Sequence, residues 1–527
     1  MRLRKDSLQF LGYFLAALAL AVTGQVFAGA YASDLHWADE GSHYINGLLI
    51  HDYIAKGLGQ NPVQYAIGYY ANYPKVAIGH WPPFFYPLEA LFFFITGPSV
   101  RAALFLQALL AAGLAASVAF VVARWHGWIA GICAALLVLL APDIFSSTLG
   151  VMLDIPLALI AFLATLSWAR YLDSGDWRWS LGFALLATAA ILTKGNGFFL
   201  AFVPPLTLVI TRRWDLLRVW HFWLALPLVA ILTVPWYVAT YKIAADGFNY
   251  SWGFTFIGKA LVTYRHVLWV LIGIPGFLVA LLGSLRVLQF REAAPEQALG
   301  VSTLAAAIAC FAYHCLVPVA LEPRYLMAIV PDLVVLAFFA LHWPLPYKSA
   351  LAVAAVLAML IAEPVFAFKP DLGMARAGRM IAQTPNRSPL LLVGSTPGGE
   401  GAINAEIATD DRSRHFYVLR GFQVLGSGNF MGTRYTPRFA GPEPLRRWVE
   451  ANHIGWVVLD TSPASLKWQH NQQLRALLAE KPKGWERVAA LTNPHSSVLV
   501  YRIATAAPAN VASLLPQLRP AKVIGKY

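Results

Sequence analysis

Charge is what this chain lacks. Only 13% of its 527 residues are Asp, Glu, Lys or Arg, while 58% are hydrophobic. A water-soluble globular domain carries roughly 25% charged residues, so much of this surface faces something other than water. Cysteine is scarce as well: Cys133, Cys310 and Cys315 all sit in apolar runs, where a thiol behaves as a small hydrophobe, and no disulfide framework is readable. Gly398-Gly399 and Gly426/Gly428 are isolated glycines outside any strand–GxGxxG–helix context, which argues against a dinucleotide site. No metal-ligand spacing such as HExxH is present. The net charge of +13 comes without a basic stripe interleaved with aromatics, so it does not read as a nucleic-acid surface. Membrane proteins collect Lys and Arg in short cytoplasmic loops, and that reading fits the charge better.

What the chain has in abundance is apolar runs near the ~17–25 residues needed to cross a bilayer. They fall at about 8–31, 101–123, 127–142, 152–169, 179–193, 196–211, 219–241, 265–288, 299–320, 325–343 and 348–366, which predicts about eleven transmembrane helices. The first run is longer than the h-region of a signal peptide and reads as a retained anchor. The segment 84–96 is apolar but short, with Pro82-Pro83 and Pro87, and is expected as a re-entrant or interfacial helix. Alternating the spans with the N-terminus inside places Arg124, Arg170, Arg212, Arg213, Arg286 and Arg291 in short cytoplasmic loops, as the positive-inside rule requires. The expectation is therefore a multi-pass protein of the cell (inner) membrane, N-terminus cytoplasmic, with residues 1–368 forming the membrane domain and a first extracytoplasmic loop at about 32–100. Residues 369–527 change texture: short β-type runs at 390–394, 416–419, 455–460 and 497–501 alternate with helical stretches at 444–452 and 471–481. They predict a soluble extracytoplasmic α/β domain.

Four polar features share the outer side of this topology. Asp39-Glu40 opens the long first loop, followed by a stretch from Tyr44 to Lys56 whose apolar spacing suits a helix lying on the membrane surface. Asp154 lies near the outer end of the fourth span, Lys194 ends the fifth, and Glu322-Pro323-Arg324-Tyr325 joins the ninth to the tenth. Ionisable groups at membrane depth cost several kcal/mol unless paired or wetted, about 2.5–3.5 on insertion scales. Plain structural readings exist for each: Lys194 and Arg324 as snorkelling ends, Asp154 as an ion-pair partner, Asp39 and Glu40 as helix caps. Their common side points instead to an outward-open polar cavity. Transfer of a sugar from a polyprenyl phosphate needs such a place. Cations, here Lys194 and Arg324, stabilise the charge of the departing phosphate, and a carboxylate, here Asp39, accepts the proton of the acceptor hydroxyl.

The order Asp39-Glu40 with Tyr44, Leu153-Asp154, Thr193-Lys194-Gly195 and Val234-Pro235-Trp236-Tyr237 resembles the GT-C membrane glycosyltransferases, in the branch similar to bacterial protein O-mannosyltransferases and the lipid A aminoarabinose transferase. The resemblance implies a mainly α, GT-C type polytopic enzyme with a C-terminal soluble domain, performing inverting transfer from a polyprenyl-phosphate monosaccharide to a lipid, glycan or protein hydroxyl at the outer face. It implies Asp39 and Asp154 as catalytic aspartates, Lys194 and Arg324 at the donor phosphate, and Glu40, Tyr44, His80, Glu322 and Tyr325 around the substrates. Membrane lipids are the other expected partners. Where the aminoarabinose branch has Glu-Lys-Pro, this chain reads Gly79-His80-Trp81-Pro82-Pro83. Neither that branch's phosphate contact nor its metal site carries over intact, and His80, with His36 and His43 nearby, is the residual candidate for a divalent metal ion. The rival class is a transporter or flippase for a lipid-linked or polar solute. It predicts charges near the midplane and a two-fold hydropathy symmetry, neither of which is seen.

Overall fold

The computed structural model describes residues 2–248, 250–289, 295–343, 347, 350, 352–354, 356–358, 367–384, 386–428, 435–493, 496–504, 506, 511, 514 and 518. The chain divides into two units. One comprises Met1–Ala28, Trp81–Phe85 and Phe105–Ala367; the other comprises Gly29–His80, Tyr86–Leu104 and Phe368–Tyr527.

Among the described residues six helical segments are long and apolar enough to cross a membrane: Lys5–Phe27, Val100–Leu139, Asp154–Ser174, Trp220–Gly247, Glu296–Leu316 and Pro323–His342. A seventh arises if Phe254–Val270 and Gly273–Gln289 are one broken span. The count of eleven expected from hydropathy is not confirmed among the described residues. The expected spans at 101–123 and 127–142 are two helices that meet at a kink at Gly127 (φ 84°, ψ 173°) within the single stretch Val100–Leu139. The span expected at 265–288 is two helices bent by 99°, because Gly273 takes a left-handed φ of 70° that an α-helix cannot continue through. The runs at 179–193 and 196–211 are real but short, as Trp177–Thr193 and Gly195–Thr211. The last expected span, 348–366, lies largely outside the described residues.

The core of the first unit uses small residues where helices cross. Ala111, Ala112, Ala115, Ala116 and Ala119 are all fully buried on one helix, the composition that lets backbones approach closely where apolar burial alone gives no preference over lipid.

In the second unit, a five-stranded sheet has the order β2-β1-β5-β7-β6, with β1 Leu390–Gly394, β2 Tyr417–Arg420, β5 Trp456–Asp460, β6 Trp485–Asn493 and β7 Ser496–Ile503. A two-stranded ribbon pairs β3 Gly426–Ser427 with β4 Thr436–Pro437. The pairs β1–β2 and β1–β5 are parallel, whereas β5–β7 and β7–β6 are antiparallel. Strands β1 and β5 are buried at every residue, as continuous apolar runs in a parallel sheet should be. The edge strand β6 carries exposed Glu486 and Arg487 and a bulge before Ala489. The helix Pro397–Asp410 opens on Thr396, whose hydroxyl accepts from the Gly399 amide in an N-cap.

The same unit corrects the reading of the first loop. The helix after Asp39 exists, as Glu40–Asp52, but it does not lie on a surface: Glu40 through Leu49 and His51 are all buried. Each face is taken, with Gly41 against Gly401 and Gly47 against the Glu89 carboxyl. Phe85–Thr96 follows as a helix of 12 residues, too short to cross a bilayer.

Candidate functional site

Two groups of the expected residues are brought together, one in each unit. In the first unit, Asp154 heads the helix Asp154–Ser174 rather than lying inside a span. It has helix N-terminal dipole behind it, a position that favours a carboxylate. The helix Trp177–Thr193 stops at Lys194, whose backbone is extended (φ −154°, ψ 138°). The chain continues as the 3-10 turn Gly195–Phe202. That break turns the lysine inward: its Nζ lies 2.5 Å from Asp154 Oδ1, with the two side chains 9% and 3% exposed. Arg324 Nη1 approaches the other Asp154 oxygen at 3.9 Å, and Arg324 Nε donates to Glu322. Tyr325 completes the group, its ring centre 5.1 Å from Lys194 Nζ and 6.0 Å from Arg324 Cζ, within reach of cation–π attraction. Exposure rises along the array, from Asp154 at 3% through Arg324 at 23% to Glu322 at 39%. The array is a charged ladder running from apolar interior to open surface.

Several further residues hold this array, and of these only Tyr237 carries a signal in the sequence. His314 on the helix Pro295–Leu316 gives its Nδ1–H to the Cys310 carbonyl (2.8 Å), which leaves Nε2 to accept from Asn196 Nδ2 (2.8 Å). Its ring lies 5.8 Å from that of Tyr325. Tyr313 donates to the Gly195 carbonyl at 3.1 Å, and Tyr237, the last residue of the Val-Pro-Trp-Tyr motif, donates to Ile191 at 3.0 Å. Gln107 donates to the Met152 carbonyl at 2.9 Å, two residues before Asp154. The turn bearing Lys194 is therefore fixed from three sides.

In the second unit, Asp39 occupies the N-cap position of Glu40–Asp52 without making the side-chain capping bond. It is half-buried, and its carbonyl accepts from the Ser42 and His43 amides at 3.0 Å each. Glu40 is not a cap either. Its carboxylate meets Lys369 Nζ at 2.9 Å, with both side chains essentially inaccessible. Burial pushes the Glu40 carboxyl up and Lys369 opposes that push. Tyr44 donates to Thr409 Oγ1 at 2.7 Å, since that hydroxyl's own hydrogen goes to Ala405; burial raises the phenol. His80 sits in the turn before Trp81, its amide on the Ala77 carbonyl at 3.1 Å.

The residues offered for a divalent metal do not converge. His36 Nδ1 is 3.9 Å from Glu40 Oε1, and burial with Lys369 nearby lowers its imidazole to about 4, but Glu40 is already held by Lys369. His43 Nδ1 is engaged with the Tyr86 hydroxyl at 3.0 Å. Among the described residues no group of three His, Cys, Asp or Glu side chains is placed to hold a metal ion, so these side chains do not fit such an ion.

The chain is similar in fold to ArnT from Cupriavidus metallidurans. The structure of that protein bound to undecaprenyl phosphate matches at TM-score 0.57 and 17% identity, over 94% of this chain and 99% of that one. The chain has the GT-C fold. The apo form of the same ArnT matches at TM-score 0.56 and 18% identity, over 94% and 99%. The archaeal oligosaccharyltransferase AglB from Archaeoglobus fulgidus, in complex with an inhibitory peptide and a dolichol-phosphate, matches at TM-score 0.48 and 14% identity, over 92% of this chain and 74% of that one. A family model described as dolichyl-phosphate-mannose-protein mannosyltransferase matches residues 80–238, a segment that contains Asp154, Lys194 and Tyr237. No curated protein matches.

Proposed function

We propose that this GT-C chain is a membrane glycosyltransferase moving a monosaccharide from a polyprenyl phosphate to a hydroxyl on a lipid, glycan or protein at the outer face. The observation that carries the reading is the Asp154–Lys194–Arg324–Glu322 array, buried at Asp154 and Lys194 and open at Glu322, which offers two cations at the edge of an apolar helical unit. A lipid-linked phosphate needs that combination of apolar flank and paired cations. Support comes from the undecaprenyl phosphate bound by the ArnT of the same fold and from the mannosyltransferase-like segment 80–238.

In the proposed reaction Asp39 accepts the proton of the acceptor hydroxyl. The freed oxygen attacks the anomeric carbon, and the bond from that carbon to the phosphate oxygen breaks with its electron pair leaving on the polyprenyl phosphate. Configuration at the anomeric carbon inverts. Lys194 and Arg324 stabilise the charge that collects on the leaving phosphate. Asp154 is assigned the task of aiming both cations, and Tyr325, Glu322, Glu40, Tyr44 and His80 of lining or supporting the substrate space. The assignment of Asp39 rests on its place in the order of motifs. The reading includes a cytoplasmic N-terminus and a soluble C-terminal domain, residues 369–527, on the outer side, as the distribution of Lys and Arg supports.

The test is release of free polyprenyl phosphate by the protein in native-lipid nanodiscs offered a panel of labelled polyprenyl-phosphate sugars with crude envelope acceptors. Release from one donor, abolished by Asp39→Asn and strongly reduced by Arg324→Ala, is the expected result. No release from any donor with folded protein sinks the proposal.

A further inference from the structure

Asp39 sits in a segment that the far end of the chain grips at five successive points. Ser33 Oγ lies 2.8 Å from the Lys369 carbonyl and 2.7 Å from the Gly29 carbonyl, its one hydrogen shared between them. The Asp34 carboxylate accepts the amides of Leu372, Met374 and Ala375 at 3.0, 2.9 and 2.8 Å, capping the helix Met374–Gln383 from a distance of some 340 residues in sequence. The His36 carbonyl is pressed so closely on Gly398 that a Cβ there would lie 1.8 Å from its oxygen. Glu40 is paired in the interior with Lys369. Gly41 lies on Gly401, where a Cβ on Gly41 would be 2.6 Å from the Gly401 Cα.

A sixth hold comes from within the loop. Buried Lys75 donates to the carbonyl of Ala38, the residue before Asp39, at 3.1 Å. Lys75 is itself placed by the C-terminal region, because Arg420 donates to the Pro74 carbonyl at 3.1 Å and is anchored on buried Glu400 at 2.8 Å. The residues on either side of Asp39 are thus each fixed by a buried lysine, one on a backbone carbonyl and one on a carboxylate. Gly398 has its purpose here: without a side chain it lets the His36 carbonyl rest directly on its backbone.

We propose that the C-terminal region acts as the template that aims the Asp39 carboxylate, with Lys369, Lys75 and Gly398 as positioning residues, so that it governs the chemical step rather than only the choice of acceptor. The proposal rests on the reading of Asp39 as the base. A carboxylate misplaced by about 1 Å costs on the order of 100-fold in rate, which gives a large signal to look for.

The full-length protein in nanodiscs is compared with Gly398→Ala, Lys369→Met, Lys369→Arg, Gly401→Ala and Leu474→Ala. Leu474 is a buried residue of the same domain packed beneath the sheet, and its truncation loosens the domain without touching the seat. A Cβ on Gly401 meets nothing closer than 3.5 Å. Gly398→Ala and Lys369→Met are expected to lower kcat by about 100-fold with donor KM within about twofold, and to shift the acid limb of the pH–rate profile. Lys369→Arg recovers part of kcat; Gly401→Ala stays close to wild type; Leu474→Ala loses melting temperature and keeps kcat. Retained kcat in Gly398→Ala and Lys369→Met, or a loss in Leu474→Ala as large at the same melting shift, overturns the proposal. Hydrogen exchange of residues 36–44 is read in parallel and needs no substrate. If wild type turns over no donor, the glycosyltransferase reading falls by itself. Exchange then decides the seat alone: faster in Gly398→Ala and Lys369→Met supports it, unchanged refutes it.

Discussion

Removing the Asp154 carboxylate takes the nearest counter-ion from a buried ammonium. Breaking a buried pair costs about 3–5 kcal/mol, most of it the penalty of the charge left behind. Asp154→Ala is therefore expected to lower the melting temperature sharply. Asp154→Ala with Lys194→Met is expected to regain much of the loss, and additive losses in a double-mutant cycle would contradict the pairing. Lys75 gives a second prediction, with a sign set by its surroundings. Burial, and Arg420 beside it, bring its ammonium down from 10.5 to about 7, against the opposing pull of Glu400 and Asp39. Between about pH 7 and 10.5 the unfolded chain holds a proton on this lysine that the folded chain has released, so stability rises with pH across that window. Lys75→Met should flatten the rise; an unchanged slope of melting temperature against pH counts against a buried, neutralised lysine. At this scale Asp154, Lys194, Glu322 and Arg324 stood out in the sequence because charge is conspicuous beside apolar runs, and Tyr325 because it follows them in Glu322-Pro323-Arg324-Tyr325. His314, Asn196 and the Glu40–Lys369 pair did not, since a polar side chain in a helix or a lysine 329 residues away shows no pairing until the chain is folded.

The turn after the helix Trp177–Thr193 is as demanding as any side chain. A Cβ on Gly197 would lie 2.6 Å from the Ala190 carbonyl carbon and 2.7 Å from the Ile191 nitrogen, which would lever the Lys194 turn off the helix end. Gly197→Ala is expected to cut turnover by at least about tenfold through a misplaced Lys194. Gly258→Ala, with nothing within 4 Å of its added methyl, should leave turnover unchanged and gain up to about 1 kcal/mol of helix stability. Equal effects would show that the close approach does not matter. Elements were read well where periodicity or apolar length was the whole story: β1, β2, β5 and β7 fall where the short apolar runs lie. The misses have physical causes. Strand β6 shows water its charges from an edge, and the helix Pro397–Asp410 begins in glycines that weigh against helix until their tertiary role is seen. The kink at Gly273 was hidden because hydropathy counts residues and not backbone angles.

At the scale of the molecule the clearest open prediction is sidedness. Cys133, Cys310 and Cys315 are all buried, so cysteines introduced at exposed positions report on a low background. In spheroplasts Lys483→Cys in the C-terminal domain should react with a membrane-impermeant maleimide. Asp173→Cys, at the end of the helix from Asp154, should react only after permeabilisation. The reverse pattern would invert the topology and with it the proposed outer-face reaction. The fold class was legible at this scale because a charge-poor chain with repeated apolar runs admits few architectures. The grouping of the first loop with residues 368–527 in one unit was not, because it depends on glycine–backbone contacts that no hydropathy plot contains. One further consequence follows from the array around Asp154. Its two carboxylates already balance its two cations, so an arriving phosphate meets a host with no net surplus of positive charge. Two bare cations would hold a spent lipid phosphate tenaciously. A balanced set grips the developing charge through geometry and then lets the product drift back into the bilayer, so that each molecule can work more than once.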